Sequence, residues 1–350
     1  MRRLMRIGIA YDLRSDFAPD AGAPVDRLEE YDSQETVDAI ARALVAGGHE
    51  PRLLGGGRRF LESVLRSPPE LVFNIAEGWG TRSREAHVPA VCEMLRIPFT
   101  HSDPLTLALT LDKPLTKRLA ASHGVPTAPF AVVEKLEDLA APGALQGLAY
   151  PLFVKPAAEG SSMGVRKSSR VTGRAQLEAE VARCLADYRQ PALIETFLPG
   201  VEFTVGLIGN GSSVEVLGVM EIEPRDGKPE EFVYGLETKR DYLAQVAYHI
   251  PPRGVSAAKR AEVEKVAIAA FKALGCRDLS RFDIRLDAAG TPNFIEVNPL
   301  PGLSPRSGDI VILSSAMGWT YDKLVNRVVS EAIVRQNLPR ESRMRAGAGV

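Results

Sequence analysis

Two short runs of alternating apolar and polar residues, joined by turn residues, constrain the fold of this chain most. Residues 281–286 (Arg-Phe-Asp-Ile-Arg-Leu) and 293–298 (Asn-Phe-Ile-Glu-Val-Asn) alternate with the period of a β-strand. The Asp-Ala-Ala-Gly sequence at 287–290 between them is typical of a tight turn. The pattern therefore predicts a β-hairpin.

Alternation also sorts the hairpin side chains by face, because successive residues of a strand point to opposite sides. The face that we expect to be buried carries Phe282, Ile284, Leu286, Ile295 and Val297. The opposite face carries Arg281, Asp283, Arg285, Glu296 and Asn298. If the polar residues of both strands share a face, their oxygens form the kind of hard-ligand patch that suits Mg²⁺. The alternative is an ordinary hairpin with a solvated outer face.

The composition argues against several classes of function. The 43 basic and 44 acidic side chains among 350 residues nearly cancel, which disfavours general binding to nucleic acids or anionic membranes. The cysteines (Cys92, Cys184 and Cys276) show neither metal-ligand spacing nor a disulfide framework. The apolar run at 7–10 is too short for a signal peptide, and no segment approaches a membrane span. We therefore expect a soluble, cytoplasmic protein with reduced thiols.

The order of the predicted elements indicates an α/β unit followed by α+β parts. A strand over 6–10, a helix opened by a capping box at 32–35 and a strand over 71–75 predict a parallel α/β unit. The later predicted elements are helices over 115–122, 262–274 and 321–334 and strands over 152–154, 192–197, 203–208 and 214–222. The fold class is thus α/β and α+β multidomain.

Lys155 ends a predicted strand and precedes a loop of small residues at 156–164. Small residues let the backbone approach an anion, and Ser161 and Ser162 add hydroxyl donors. A lysine at this position would supply a point charge to a phosphate. The loop is not a Walker loop, because the lysine comes before the glycines. A Gly/Ser-rich turn without a ligand is the alternative.

Three further segments carry polar groups suited to a nucleotide. Glu195 and Glu202 flank a Pro-Gly step. The strand backbone there would form hydrogen bonds with an adenine edge, and a carboxylate would bind the ribose hydroxyls. The alternative is that both glutamates are ordinary surface residues. Lys239 and Arg240 lie in an irregular charged stretch, either a basic loop over phosphates or a solvated loop. The loop at 301–308 would present backbone N–H groups to an oxyanion.

In this order the segments resemble the ATP-grasp superfamily and, within it, the D-alanine–D-alanine ligases, over roughly residues 68–335. The strongest pieces are 153–164, 193–205 and 294–302, each weak alone but specific together. The resemblance implies an ATP-grasp fold with four parts. These are an N-terminal parallel α/β (pre-ATP-grasp) domain at 1–104, a small central subdomain at 105–190, a C-terminal subdomain with the metal site at 191–335 and a flexible tail at 336–350.

The resemblance also implies a role for each site residue. Those that would bind ATP are Lys113, Lys155, Glu159, Ser161, Ser162, Glu195, Phe197, Leu198, Glu202 and Lys239. Those that would bind two Mg²⁺ ions, or Mn²⁺ in their place, are Asp283, Glu296 and Asn298. The catalytic group would comprise Arg281, the Gly302 N–H, Ser161 and Lys239. Those that would bind the amino-acid substrates are Ser307, Arg281 and Arg240.

Enzymes of this family join a carboxylate to an amine. The carboxylate attacks the γ-phosphate of ATP in line, and the amine then displaces phosphate from the acyl phosphate. A loop around Lys239 would close over the site and keep water away. The resemblance implies small amino-acid or peptide substrates, no nucleic acid or membrane, and a homodimer.

The chain departs from the family where the first substrate binds. The family's Gly-Gly turn with its Ser and Glu is replaced by Ala-Tyr-Asp-Leu-Arg-Ser-Asp at 10–16, and Glu29, Glu30 and Asp32 are candidate substitutes. The family's His-Gly loop becomes Asn-Ile-Ala-Glu-Gly-Trp-Gly at 74–80, and Arg240 replaces a tyrosine. A ligase for a different amino-acid or peptide pair therefore remains open, as does a nucleotide-binding protein without turnover.

Overall fold

The computed structural model describes residues 4–18 and 22–338. The elements of its N-terminal part are β1 (Arg6–Tyr11), α1 (Gln34–Ala46), β2 (Glu50–Gly55), α2 (Gly57–Arg66), β3 (Leu71–Ile75) and α3 (His87–Leu95). The strands form a parallel sheet in the order β2-β1-β3. The predicted parallel α/β unit is confirmed, with β2 and α2 as additional elements that the sequence patterns did not reveal.

The central part is a smaller antiparallel sheet with helices around it. Its elements are α4 (Pro104–Leu111), α5 (Lys113–Ser122), β4 (Phe130–Val133), β5 (Leu152–Pro156), β6 (Arg170–Val171), α6 (Arg174–Tyr188) and β7 (Ala192–Thr196). The strand order is β4-β7-β5-β6. Helix α5 begins earlier than predicted because Asp112 caps it, its carboxylate accepting a hydrogen bond from the Leu115 N–H at 3.0 Å.

The C-terminal part is an antiparallel sheet covered by helices. Its elements are β8 (Glu202–Gly209), β9 (Glu215–Pro224), α7 (Leu236–Arg240), α8 (Tyr242–Gln245), β10 (Val246–His249), α9 (Ala257–Ala273), β11 (Asp278–Leu286), β12 (Pro292–Asn298), α10 (Asp309–Ala316) and α11 (Tyr321–Arg335). The strand order is β10-β9-β8-β11-β12. The stretch that contains Lys239 and Arg240 is therefore helical, and the prediction of an irregular loop there was wrong.

The predicted hairpin is β11 and β12, with one correction. Asp283 pairs with Glu296 and Arg281 with Asn298, so the polar faces of the two strands coincide as expected. A bulge follows Asp283, and Phe294 takes the buried position opposite Ile284. The expectation that Ile295 points into the core was wrong, because the extra residue shifts the alternation and turns this side chain toward a cleft.

The start of α1 also differs from the prediction. Ser33 is the N-cap, and its hydroxyl accepts a hydrogen bond from the Thr36 N–H at 3.4 Å. Asp32 was expected to cap this helix. Its backbone instead pairs with the loop after β1, accepting from the Arg14 N–H and donating to the Asp12 carbonyl. The Asp32 side chain lines a cavity.

One hydrophobic core joins the N-terminal sheet to the C-terminal part. Ile7 and Phe73 of the first sheet and Ile40 of α1 are fully buried in the same cluster as Leu313 of α10 and Val325 of α11. Burial of this apolar surface is the main stabilising term for such an arrangement. The N-terminal part is therefore held in place beside the antiparallel sheet.

The predicted tail at 336–350 lies largely outside the described residues, which end at 338. Gln336, just before that limit, donates a hydrogen bond to the Phe99 carbonyl at 2.7 Å. None of the helices in the described part of the chain combines the length and apolar character needed to cross a lipid bilayer.

His101 makes the junction of these parts sensitive to acid. The side chain is buried beside Arg335, and burial together with this guanidinium lowers the pKa of His101 to about 3. The unfolded chain takes up this proton near the ordinary pKa, so the free energy of unfolding should fall as pH drops below about 6. In this range, His101 should add about 1.4 kcal/mol per pH unit to the slope of the free energy of unfolding against pH.

His101→Asn isolates this contribution, since asparagine tolerates the left-handed backbone at this position (φ 68°). Urea unfolding at a series of pH values should give a shallower dependence in the variant than in the wild type. Parallel curves for the two proteins would show that His101 is protonated equally in the folded and unfolded states.

Candidate active site

Two cavities meet between the central sheet and the β11–β12 hairpin. The residues that line the first include Lys113, Lys155, Glu159, Ser162, Glu195, Phe197, Leu198, Glu202, Lys239, Asp283 and Glu296. The residues that line the second include Ser161, Lys239, Arg240, Arg281, Asn298, Gly302 and Ser307. Every residue that the sequence implicated in ATP, metal or substrate binding lines one of them, and Lys239 lines both.

A buried carboxylate between two lysines forms one wall of the first cavity. Glu195 lies on β7, and its carboxylate accepts from Lys155 of β5 at 2.8 Å and from Lys117 of α5. Burial alone would raise the pKa of Glu195, but the two ammonium groups outweigh it and lower the pKa to about 2. Glu195 therefore stays ionised and fixes the position of Lys155.

Lys113 connects this wall to the hairpin. Its ammonium lies 3.6 Å from the Glu296 carboxylate and also donates to the backbone carbonyl of Glu159. Burial would raise the pKa of Glu296, but Lys113, Lys155 and Lys239 outweigh it and lower the pKa to about 2. Several cations thus surround one carboxylate, an arrangement that would also balance the charge of a polyphosphate.

Arg281 is held between two carboxylates at the junction of the cavities. Its guanidinium donates to Asp283 at 2.9 Å and to Asp309 at 3.1 Å, while the Thr204 hydroxyl donates to the other Asp283 oxygen at 3.0 Å. The Arg281 Nε is buried without a hydrogen-bond partner in the described part of the chain. A buried, unpaired donor of this kind is available to an oxyanion.

Apolar and aromatic groups form the other end of the first cavity. Phe197 lies under the Arg285 guanidinium, which is 4.7 Å from its ring centroid and pairs with Glu202 at 3.2 Å. Phe153, Met163, Leu198 and Ile295 complete this surface. A flat apolar slot beside a carboxylate suits a nucleotide base and its ribose.

The loop after β5 has strained backbone at its serines. Ser161 and Ser162 both have positive φ values, 48° and 57°. Such conformations are uncommon for residues other than glycine and cluster at ligand sites. Ser161 faces the second cavity and Ser162 the first. The loop therefore divides the two cavities.

The second cavity has an acidic wall from the N-terminal part. Glu29, Glu30, Asp32 and Glu77 line it. Glu29 pairs with Arg240 and Glu30 with Arg84, whereas no lysine or arginine among the described residues pairs with Asp32 or Glu77. Burial raises the pKa of Asp32 to about 7 and that of Glu77 well above its ordinary value. The wall is thus suited to a positively charged group.

The sequence analysis missed several residues of the site. Lys117 lies one helical turn after Lys113, a spacing that places both on one helix face and would have been a usable signal. Asp309 at the start of α10 and Arg84 carried no such signal, because their partners are distant in sequence. Arg285 was placed on the polar face of the hairpin, but the local pattern did not reveal its pairing with Glu202. Glu159 was implicated in nucleotide binding, and its carboxylate accepts from Gln190 at 2.7 Å and from Arg84 at 3.4 Å.

The residues present fit a magnesium ion that is shared with phosphates. Asp283 and Glu296 face each other across the hairpin on one cavity wall, whereas the Asn298 oxygen accepts from the Leu300 N–H at 2.9 Å. Burial raises the pKa of Asp283 although Arg281 opposes this rise. Among the described residues, no cluster of three or more His, Cys, Asp or Glu is placed to hold an ion alone. Mg²⁺ commonly takes one or two carboxylates and completes its shell with water and phosphate oxygens.

Sequence comparison links the chain to ligases. The sequence profile described as the D-ala D-ala ligase C-terminus matches residues 119–330. A D-alanine–D-alanine ligase from Bordetella petrii is 31% identical over 300 residues, which cover 86% of this chain and 87% of the relative. The uncharacterized protein y4sG from Sinorhizobium fredii is 35% identical over 307 residues, which cover 84% of this chain and 86% of the relative.

Solved structures show the same fold. A D-alanine–D-alanine ligase from Bacillus anthracis in complex with ATP superposes with a TM-score of 0.72 at 19% identity, covering 95% of this chain and 99% of that one. The VanG D-Ala:D-Ser ligase from Enterococcus faecalis gives a TM-score of 0.71 at 18% identity, covering 94% and 100%. The likeness in fold therefore covers nearly the whole chain.

Proposed function

Because this chain belongs to the D-alanine–D-alanine ligase family, we propose that it joins two amino acids or short peptides, the first held by its ammonium group at Asp32 and Glu77. It is an ATP-dependent ligase that forms a peptide bond through an acyl phosphate. The observation that carries the substrate assignment is that Asp32 and Glu77, which line the second cavity together with Arg281, form no ion pair with a lysine or arginine in the described part of the chain.

In this proposal the first cavity binds ATP. Phe197, Leu198 and Ile295 would contact adenine, and Glu202 would accept from the ribose hydroxyls. Lys113, Lys155 and Lys239 would neutralise the phosphates, Lys155 in a position fixed by Glu195. Asp283 and Glu296, with Asn298 at the edge, would hold Mg²⁺, which supplies charge neutralisation at the phosphate oxygens.

The chemistry would then take place at the junction of the two cavities. The substrate carboxylate attacks the γ-phosphate, ADP leaves, and the amine of the second substrate attacks the acyl carbon and releases phosphate. Arg281 Nε and the Gly302 N–H would donate to the oxygen that becomes negative. Ser307, beside Ser304 at 3.1 Å, would receive the second carboxylate.

The decisive experiment is product formation from a panel of amino acids. Purified protein is incubated with Mg-ATP and D- and L-amino acids, singly and in pairs, and ADP, phosphate and dipeptide are measured, the last by mass spectrometry. We expect ADP and a dipeptide in equal amounts for at least one pair. The D-alanine pair is included, since absence of its dipeptide together with turnover of another pair would exclude D-alanine specificity. ATP binding without ADP release from any pair would contradict the proposal and favour a binding protein.

The pKa of Asp32 predicts how the affinity for the first substrate depends on pH. Burial raises this pKa to about 7, and only the ionised carboxylate attracts an ammonium group. The KM of the first substrate should therefore rise about tenfold for each pH unit below about 7 and level off above it. Asp32→Asn should raise KM at high pH and weaken this dependence, leaving only the part that Glu77 contributes.

Asp38→Asn provides the matched control, because Asp38 is an exposed carboxylate of α1 that accepts a hydrogen bond from Gln34 at 2.8 Å. It should keep the wild-type profile. If Asp32→Asn kept the same profile as well, Asp32 would not be the group that holds the ammonium.

A further inference from the structure

A segment of the N-terminal part contacts two elements that border the ATP cavity. Residues 25–30, here called the clasp, lie between β1 and α1. We propose that Asp26 and Glu29 of the clasp are positioning residues that hold the serine loop at 160–164 and helix α7 closed over the nucleotide. This inference rests on the proposed function, because it concerns closure of that same site.

Asp26 forms the arm of the clasp on the serine loop. Its side chain is 0% exposed, and one carboxylate oxygen accepts from the Gly164 N–H at 2.9 Å and the Arg166 guanidinium at 2.9 Å. The Tyr188 hydroxyl donates to the same oxygen at 2.8 Å. All three donors belong to the central part, so one buried carboxylate joins the end of the serine loop to α6 and to the N-terminal part.

Neighbouring residues strengthen the same contact. Arg27 lies 3.5 Å from the Glu159 carboxylate at the start of the loop. Arg84, which Glu30 holds through two hydrogen bonds, donates to the Ala158 carbonyl at 3.2 Å. The clasp therefore reaches both ends of the loop whose serines have strained backbone, and such strain persists only where surrounding contacts maintain it.

Glu29 forms the second arm, on helix α7. Its carboxylate accepts from the Arg240 Nε at 3.1 Å and from a terminal guanidinium nitrogen at 2.5 Å, and Arg240 also donates to the Val25 carbonyl at 3.1 Å. The preceding residue of α7 is Lys239, which lines both cavities. Contact between Glu29 and Arg240 would therefore set where Lys239 lies relative to the phosphates of a bound nucleotide.

The clasp continues directly into the acidic wall of the second cavity. Glu30 and Asp32 line the second cavity immediately after Glu29. A substrate that orders this wall would also order the clasp, and closure of the ATP cavity would follow. The acyl phosphate would then form only where water is excluded.

The Glu29–Arg240 pair contributes little to global stability, because Arg240 is 46% exposed and pairs of this kind add little to folding free energy. Its loss should appear in kinetics and not in the melting temperature. The variants are Glu29→Gln, Arg240→Gln and their double mutant. The matched control is Glu178→Gln, which breaks the similarly exposed Arg174–Glu178 pair of α6.

The quantity measured for the Glu29–Arg240 contact is the ratio of phosphate released to dipeptide formed. We expect each single variant to raise this ratio about fivefold and the double mutant to equal the single variants, since the residues act through each other. The control should match the wild type. Additive effects, or unchanged ratios in all variants, would overturn the role of Glu29.

Asp26→Asn tests the other arm without any need for turnover. Its affinity for Mg-ADP, measured by calorimetry, should fall about tenfold, because an amide lacks the charge that three donors share. Tyr188→Phe, which removes one donor and leaves the carboxylate ionised, should retain most of the affinity. Equal affinities of Asp26→Asn and the wild type would overturn the role of Asp26.

Trypsin separates failure of the clasp from failure of the proposed function, because it cleaves after Lys239 and Arg240. Mg-ADP should protect this site in the wild type and less in Glu29→Gln, even if no amino acid proves to be a substrate. Equal protection in both proteins would contradict the clasp, whereas absence of dipeptide from every pair would contradict only the proposed function.

Discussion

Glu296→Gln should lower kcat by at least about 10³-fold while the protein stays folded. Glu296 lies opposite Asp283 on the cavity wall, beside the Lys113 ammonium at 3.6 Å. Glutamine keeps the shape of the side chain but removes the charge that would bind a divalent ion. Because charge neutralisation at the phosphates accounts for most of the catalysis in phosphoryl transfer, this change should have the largest effect on the reaction.

The measurement is initial-rate ADP formation over a series of Mg²⁺ concentrations, with circular dichroism as the test of folding. Glu262→Gln is the control, since it breaks the exposed Lys259–Glu262 pair of α9 and should leave kcat unchanged. If Glu296→Gln kept a kcat near that of the wild type at every Mg²⁺ concentration, the hairpin would not be the metal site.

Arg281→Lys should lower kcat about 10²- to 10³-fold with a much smaller change in the KM for ATP. Lysine keeps a positive charge between Asp283 and Asp309, so the buried carboxylates are not left without a cation. It cannot, however, reproduce a guanidinium whose terminal nitrogens bind both carboxylates while Nε has no partner among residues 4–18 and 22–338. The variant therefore loses the Nε–H group that would donate to the developing oxyanion.

Steady-state kinetics with the best amino-acid pair would check this prediction, with Arg277→Lys as the control. Arg277 immediately precedes β11 and pairs with Asp103, so its replacement changes an arginine near the hairpin outside the two cavities. A large rise in KM for ATP with kcat unchanged would assign Arg281 to substrate binding instead of transition-state stabilisation.

Local patterns were sufficient to predict the elements that bear the proposed ATP site. Alternation over 281–286 and the turn at 287–290 predicted the hairpin, whose turn the Asp287 carboxylate closes by accepting from the Thr291 N–H at 2.8 Å. The motifs at 153–164, 193–205 and 294–302, each weak alone, together indicated the family by their order along the chain. The alternation and the turn depend on residues close in sequence, and the family signal depends on the fixed order of short motifs.

Other features depended on partners that a local pattern does not contain. Whether Ile295 points inward depends on the bulge against β11, which shifts the alternation of β12. The pairing of Lys117 with Glu195 depends on how α5 packs beside the central sheet. No local pattern distinguished these residues from ordinary core or surface positions.

The sequence by itself determined the fold class, the family and the segments to which we assign the phosphate chemistry, because strand periodicity and short motifs are local properties of the chain. Only the tertiary structure decided which acidic residues line the second cavity and which contacts join the N-terminal part to the serine loop and α7. Asp26, Glu29, Asp32 and Glu77 lie in loops, and their proposed roles depend on charge partners and burial that arise when separate parts pack together. The contact between Asp26 and Gly164 spans 138 residues, a separation over which sequence spacing carries no information about distance.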